Sequence, residues 1–152
     1  MMKAAYLRIC QSKSIPLGQA ALLLAVFSLG AFFYQPLGNH GIVTSERDAS
    51  QLSSFLCKGA LDVLDYSHRN ISGTIEDVQA LILMCYVTYH LDGFSARYRL
   101  LLAQASSVAR DLCLHRLDAN DQLAEDGETA AQGLVQCEVK RRVFWHIAAT
   151  DW

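Results

Sequence analysis

Between Ser14 and Ser45 the chain carries no Lys, Arg, Asp or Glu, and only His40 could hold a charge. Within that stretch, Ile15 to Tyr34 is a run of 20 residues whose most polar members are Gln19 and Ser28. A run like this has two physical destinations. As a helix it is long enough to cross about 30 Å of hydrocarbon. Lys3, Arg8 and Lys13 then stand ahead of it as in the flank of a signal peptide or signal-anchor, and Asn70-Ile71-Ser72 becomes a glycosylation sequon. The other destination is the interior of a helical body. Pro16 suits a first turn, Gly18 and Gly30 suit close packing, and Pro36, Gly38 and Gly41 end the helix in a loop. Composition does not choose between the two; the remaining segments do.

Four further helices follow from periodicity. Thr44 or Ser45 caps a helix to about His68, with Leu52, Phe55, Leu56, Ala60, Val63 and Leu64 as its apolar face. Thr74, with Asp77 three positions on, starts the next as a weak capping box. Its run from Val78 to Tyr89 is apolar almost all round, which predicts a central helix, and Asp92-Gly93 ends it. Ser95 caps a helix to about Leu114 whose inner stripe is Tyr98, Leu101, Leu102, Ala105, Val108, Ala109 and Leu112. The acidic segment from Leu117 to Gly133 carries Asp118, Asp121, Glu125, Asp126 and Glu128 and reads as a solvated loop. A last helix begins near Leu134 and steps Val135, Val139, Val143 and Ile147 at intervals of four. No strand alternation, repeat or sustained heptad appears, so the expected architecture is all-α, with about five helices and no sheet. The sequence stops at Asp151-Trp152 without a helix stop signal, which reads as a truncation.

At 152 residues with 52% hydrophobic and 18% charged side chains, the chain has one domain's length and is too apolar for intrinsic disorder. Its formal charge of -2 gives no field suited to tracking a phosphate backbone, so the chain by itself is a poor DNA binder. Cys10, Cys57, Cys85, Cys113 and Cys137 form no C-x-x-C pair and no compact disulfide framework. They read as reduced, structural thiols of an intracellular protein, and a zinc site built from this chain alone is not expected.

No nucleophile elbow, zinc-protease helix, phosphate-binding glycine loop or calcium loop is present. His40, His68, His90, His115 and His146 lack the spacing of helical metal ligands. His115 with Asp118 can be drawn as a base and its orienting carboxylate, but a histidine stabilised at a helix C-terminus explains it better. Lys140-Arg141-Arg142 is too short for an import signal or phosphate patch and reads as a helix face. Tyr86, Tyr89 and Phe94 could line a ligand pocket, although aromatics at helical spacing are more often core. No catalytic, cofactor-binding, metal-binding or DNA-contacting residue is assigned, and the chain is not expected to be an enzyme.

Three segments in order resemble the fungus-specific transcription factor domain. This is the helical middle homology or regulatory region, of the xylanolytic-activator-like type, that lies downstream of zinc binuclear clusters. Thr74 to Leu83 is similar to its early helix, with a polar start leading into Gln79-Ala80-Leu81. Arg99 to Ala103 and Ala109 to Arg116 are similar to its long helix ending in Gly-Leu-His-Arg. Glu138-Val139-Lys140-Arg141-Arg142-Val143-Phe144-Trp145, followed by Asp151, looks like its Glu-x-x-Arg-Arg-x-Trp-Trp helix. Pro16 to Phe33 is similar to the Pro-led, Leu/Ala-rich helix that opens the family, which favours a buried helix over a membrane span. Two departures stand out. Cys113 replaces the usual glycine, so a left-handed helix end is harder to form there. Phe144 replaces a tryptophan, an apolar exchange expected to be harmless.

The resemblance implies a domain division of residues 1–14 as an N-terminal segment and 15–152 as the N-terminal part of a truncated regulatory domain. It implies action in the nucleus, with DNA and zinc bound through a six-cysteine cluster that is absent from this sequence. It also implies an effector or coregulator as partner, with homodimerisation open. The alternatives are a small membrane-anchored helical protein with residues 15–34 as signal-anchor, or a non-functional gene fragment prone to aggregate.

Overall fold

A computed structural model of the chain describes residues 2–11, 14–34, 43, 45–70, 73–120 and 128–150. The elements in order are α1 (Met2–Cys10), α2 (Leu17–Phe32), α3 (Glu46–Asn70), α4 (Ile75–Asp92), α5 (Ala96–Asp111), a 3-10 segment (Leu114–Asn120) and α6 (Glu128–Thr150). Among the described residues there is no strand, as the all-α expectation has it. The helix beyond the expected five is α1, inside the segment read as an N-terminal extension. An edge-to-face contact of Tyr6 with Phe27, ring centroids 6.3 Å apart, sets it against α2.

Polar side chains set three of the helix starts. Ser45 Oγ accepts the Asp48 amide at 3.1 Å and so opens α3. Thr74 Oγ1 accepts the Asp77 amide at 3.3 Å while the Asp77 carboxylate accepts the Thr74 amide at 2.8 Å. That is a full reciprocal box, stronger than the sequence suggested, and it satisfies two amides that no helical carbonyl can reach. Ser95 Oγ accepts the Tyr98 amide at 3.2 Å to start α5.

The first two turns and the middle of α4 form the centre of the body. Val78, Ala80, Leu81, Met84 and Val87 are fully buried, between α2, α3, α5 and α6. Small residues let α2 approach closely: Ala21, Ala25 and Ser28 have no exposed surface. Gly18 is part of this contact, because a methyl group there would collide with Thr74 Oγ1 and stand 3.1 Å from Asp77 Oδ1. Gly30 is not, since nothing lies within 4 Å of a Cβ built on it.

The geometry of α2 speaks against the signal-anchor alternative for residues 15–34. Its 16 residues give a helix of about 24 Å, short of a hydrocarbon core. Among the described residues no helix is long and apolar enough to cross a membrane. Leu22 and Leu23, with Ala21, Ala25 and Ala31, are buried in the protein, while Phe27 and Phe33 stay exposed. The sequon lies outside the described residues at Ile71 and Ser72, as does His40.

Two other expectations are corrected. Of the expected face of α3, Ala60 and Leu64 are buried and Leu56 and Val63 half-buried, but Phe55 is 74% exposed and Leu52 lies at the surface, and Ala49, Ser53, Cys57 and Ser67 complete the buried face instead. The closeness of α2 selects small residues at the contact, so Leu52 and Phe55 turn outward. Second, α6 begins at Glu128 rather than near Leu134, and Leu114–Asn120 is a 3-10 segment rather than part of an open loop. Asp121, Glu125 and Asp126 lie outside the described residues.

Candidate functional site

The C-terminal half of α6 is anchored to the core by buried Val143 and Ile147 and packs against the 3-10 segment, α5 and, most sparsely, α4, while Leu134, Val135 and Val139 at its other end are exposed. Helices α4 and α6 do not close against each other. Between them runs a cleft in two adjoining parts. The inner part, about 470 Å³, has Leu22 and Val26 of α2 as its floor. Gln79, Ile82 and Leu83 of α4 form one wall, and Arg142, Val143 and His146 of α6 form the other. The outer part, about 260 Å³, is walled by Cys85, Tyr86, Tyr89 and His90 of α4, by Tyr98 and Leu102 of α5, and by Thr150 of α6. Ile82 and His146 border both parts, so they mark the point where the two meet.

The α4 contributors follow one helical face, at positions 79, 82, 86 and 89, which is the spacing of a single stripe. The sequence places these positions in a run from Val78 to Tyr89 that is apolar almost all round, which favours core for Tyr86 and Tyr89. The structure places Tyr86 and Tyr89 half out in solvent, so the core reading of these two tyrosines does not hold. Phe94, grouped with them, does not line the cleft but stands beside it. A continuous set of ring contacts links all three. Tyr86 and His90 have centroids 4.3 Å apart, Tyr89 and Tyr98 are 5.6 Å apart, and Phe94 and Tyr98 are 5.2 Å apart. Phe33 of the α2 terminus joins at 5.9 Å from Tyr86, and the Arg99 guanidinium lies 5.8 Å over Phe94.

Electrostatically the cleft is quiet. Burial pushes the Cys85 thiol up to about 12, so it is a neutral, apolar wall and not a nucleophile. Burial, with Cys85 and Tyr89 nearby, also raises Tyr98, which keeps its phenol protonated. Gln79 Oε1 is buried and has no hydrogen-bond partner among the described residues. Arg142 at the inner mouth donates to Glu138 at 2.7 Å, as does Arg141. Those two bonds, Arg142 first, hold the Glu138 carboxyl below its usual range. Two members of the basic triplet are therefore committed along their own helix, as the helix-face reading expects.

The other candidate residues do not converge. His115 is exposed at the edge of a separate hollow of about 590 Å³ between α5 and α6, 6.4 Å from the Phe144 ring. The Asp118 side chain, its supposed orienter, lies outside the described residues. The five cysteines are dispersed, Cys57 and Cys85 buried, Cys10 and Cys113 exposed. Among the described residues no three His, Cys, Asp or Glu side chains gather as a metal site would need, so the donor set here does not fit zinc. Sequence reasoning passed over Gln79, Ile82, Tyr98 and His146. The i, i+3, i+7, i+10 pattern running from Gln79 was the signal available for α4, whereas His146 joins only through the packing of α6.

No family model matches the sequence, and no solved structure does. Three curated proteins do match. The chain is 41% identical over 133 residues to "Probable transcription factor lepB" of Aspergillus flavus, covering 87% of this chain and 24% of that protein. It is 32% identical over 137 residues to the transcription factor TAS2 of Pyricularia oryzae, 88% of this chain and 17% of the relative. It is 33% identical over 135 residues to the agnestins biosynthesis cluster transcription factor AgnL11 of Paecilomyces divaricatus, 87% and 19%. This all-helical chain is a homologue of fungal transcription factors over most of its length, in agreement with the resemblance read from its motifs. It spans a quarter or less of the length of these relatives, which are named as transcription factors and not as enzymes.

Proposed function

We propose that this chain is the regulatory helical region of a fungal zinc-cluster transcription factor, acting in the nucleus and controlling DNA-templated transcription. The observation that supports the reading is the match over 87% of the chain to a segment of the lepB protein. In this reading DNA and zinc are bound through a six-cysteine cluster outside residues 1–152, and residues 15–152 receive the regulatory signal. An effector or a coregulator is that signal, and a second copy of the chain is a further candidate partner.

The mechanism is a shift between two seatings of α6. Val143 and Ile147 hold it to the body, yet the cleft beside them leaves it only partly packed, and a ligand or partner that fills the cleft favours one seating. A reporter assay tests this. With the chain fused between a heterologous DNA-binding module and an activation domain, Val143→Asp, which unseats α6, should change reporter output at least threefold at equal protein level. Output that stays the same for the wild type, for Val143→Asp and for the two modules joined without the chain would count against a regulatory role.

A further inference from the structure

We infer that the α4–α6 cleft binds a small, flat phenol, its rings against Tyr86 and Tyr98 and its hydroxyl on the Gln79 amide. The inference rests on the regulatory reading of the same cleft and adds the chemical class of its ligand. Three features of the cleft select that class.

The first is size. The part beside Gln79 is an open groove of about 470 Å³ and the part beside the tyrosines a further 260 Å³, together room for a small molecule. Gln79 and Tyr86 are two helical turns apart, about 10 Å, which is the length of two linked or fused rings with one substituent. The second is the wall. Tyr86, Tyr89, His90 and Tyr98 present aromatic faces and edges to the outer part, and these favour offset or edge contacts with another flat ring over contact with a saturated one. Arg142, at the mouth of the inner part, is bonded to Glu138, a carboxylate it shares with Arg141. The third is the polar atom. Gln79 Oε1 is buried without a partner among the described residues, a costly arrangement that a ligand O–H relieves once the Gln79 side chain swings to bring that oxygen into the cleft it lines. Cys85 stays a neutral thiol beside the rings, so nothing in the wall reacts with the ligand.

The test uses the 152-residue chain and 4-phenylphenol as probe, with 4-cyclohexylcyclohexanol as a control that keeps length and hydroxyl but has no aromatic ring. Binding is read from NMR shifts of α4 and α6 methyl groups. The phenol should shift Ile82, Leu83, Val143 and Ile147, and bind at least about fivefold more tightly than the saturated alcohol. Gln79→Leu should weaken it about five- to tenfold. Tyr86→Leu should weaken it about fivefold while the NMR shifts of methyl groups remote from the cleft stay in place. Equal binding of phenol and saturated alcohol, an unaffected Gln79→Leu, or shifts confined to the hollow beside His115 would each overturn the assignment. Ile82→Trp, which fills the junction, separates this inference from the regulatory reading. If it abolishes phenol binding but leaves the reporter unchanged, the ligand class stands and regulation through the cleft falls. If it changes the reporter while the wild-type chain binds no phenol, the ligand class falls.

Discussion

Ser28 of α2 and Ser53 of α3 each donate a hydroxyl to the other's backbone carbonyl, at 2.8 and 2.9 Å, with both side chains fully buried. The pair joins two helices at a point where only small residues fit, and it satisfies two hydroxyls that would otherwise be stranded in an apolar interface. Ser28→Ala and Ser53→Ala should each cost about 1 kcal/mol. Their effects should not add, because the first change leaves the second hydroxyl in a loosened contact. Urea melts of the two single variants and the double variant measure the coupling. Strict additivity would mean that the two bonds are independent.

Gly18 meets the Thr74–Asp77 capping box across the α2–α4 contact. A methyl group at residue 18 collides with Thr74 Oγ1, the atom that accepts the Asp77 amide. Gly18→Ala gains helix propensity, worth about 1 kcal/mol. Against that it displaces either the cap or the helix, and overpacking costs about 1–3 kcal/mol. The net outcome should be a lower melting temperature, opposite to the propensity rule. In a Thr74→Ala background the penalty should shrink, because the colliding oxygen is gone. The same penalty in both backgrounds would locate the strain elsewhere.

Cys113 adopts a left-handed conformation, φ 55°, the sole non-glycine residue to do so among those described. It links α5 to the 3-10 segment: its amide bonds to Arg110 O at 2.9 Å, and its carbonyl accepts the Arg116 amide at 3.0 Å. The sequence showed a cysteine where the resembled family has glycine and suggested that a left-handed end would be hard to form there. The chain forms it regardless and carries the steric cost, about 1–2 kcal/mol for an L-residue. Cys113→Gly should therefore stabilise the chain by about 0.5–1 kcal/mol after its unfolded-state entropy is counted. Cys113→Ala should change little, and Cys113→Val should destabilise. Thermal melts of the three variants check the order Gly, Ala, Val, and any other order would put the strain in doubt.

How far the sequence disclosed this fold differs from one helix to the next. The starts at Ser45, Thr74 and Ser95 were legible because capping is local chemistry, settled within three residues. The central place of α4 was legible because Val78 to Met84 leaves no side for water. The inner face of α3 was legible only in part. Ala60 and Leu64 of its apolar stripe are buried, yet the closeness of α2, set by Ala21, Ala25 and Ser28, brings Ala49, Ser53 and Cys57 inside and leaves Leu52 and Phe55 out. The cleft was not legible. Tyr86 and Tyr89 look like core in a window of neighbours and become walls through the packing of α4 with α5 and α6, a relation between segments far apart in the chain.

Cys85, in the wall of that cleft, links stability to alkaline pH. Burial raises its thiol from an ordinary value of 9.0 to about 12. A thiol held protonated in the fold contributes stability that is whole below pH 9 and is lost as pH climbs toward 12, since the unfolded chain then ionises first. Cys57 and Tyr98 are raised in the same direction, also through burial, so Cys85→Ala should remove only part of the alkaline sensitivity. The wild type should melt higher than Cys85→Ala at pH 7–8, through better packing, and that advantage should narrow as pH rises to 10.5. Alkylation gives an independent reading at pH 8. Iodoacetamide should label the exposed Cys10 and Cys113 well before Cys85, as mass spectrometry of timed samples would show. A constant melting difference between pH 8 and 10.5, or Cys85 labelled as fast as Cys113, would show that the thiol is not held protonated by the fold.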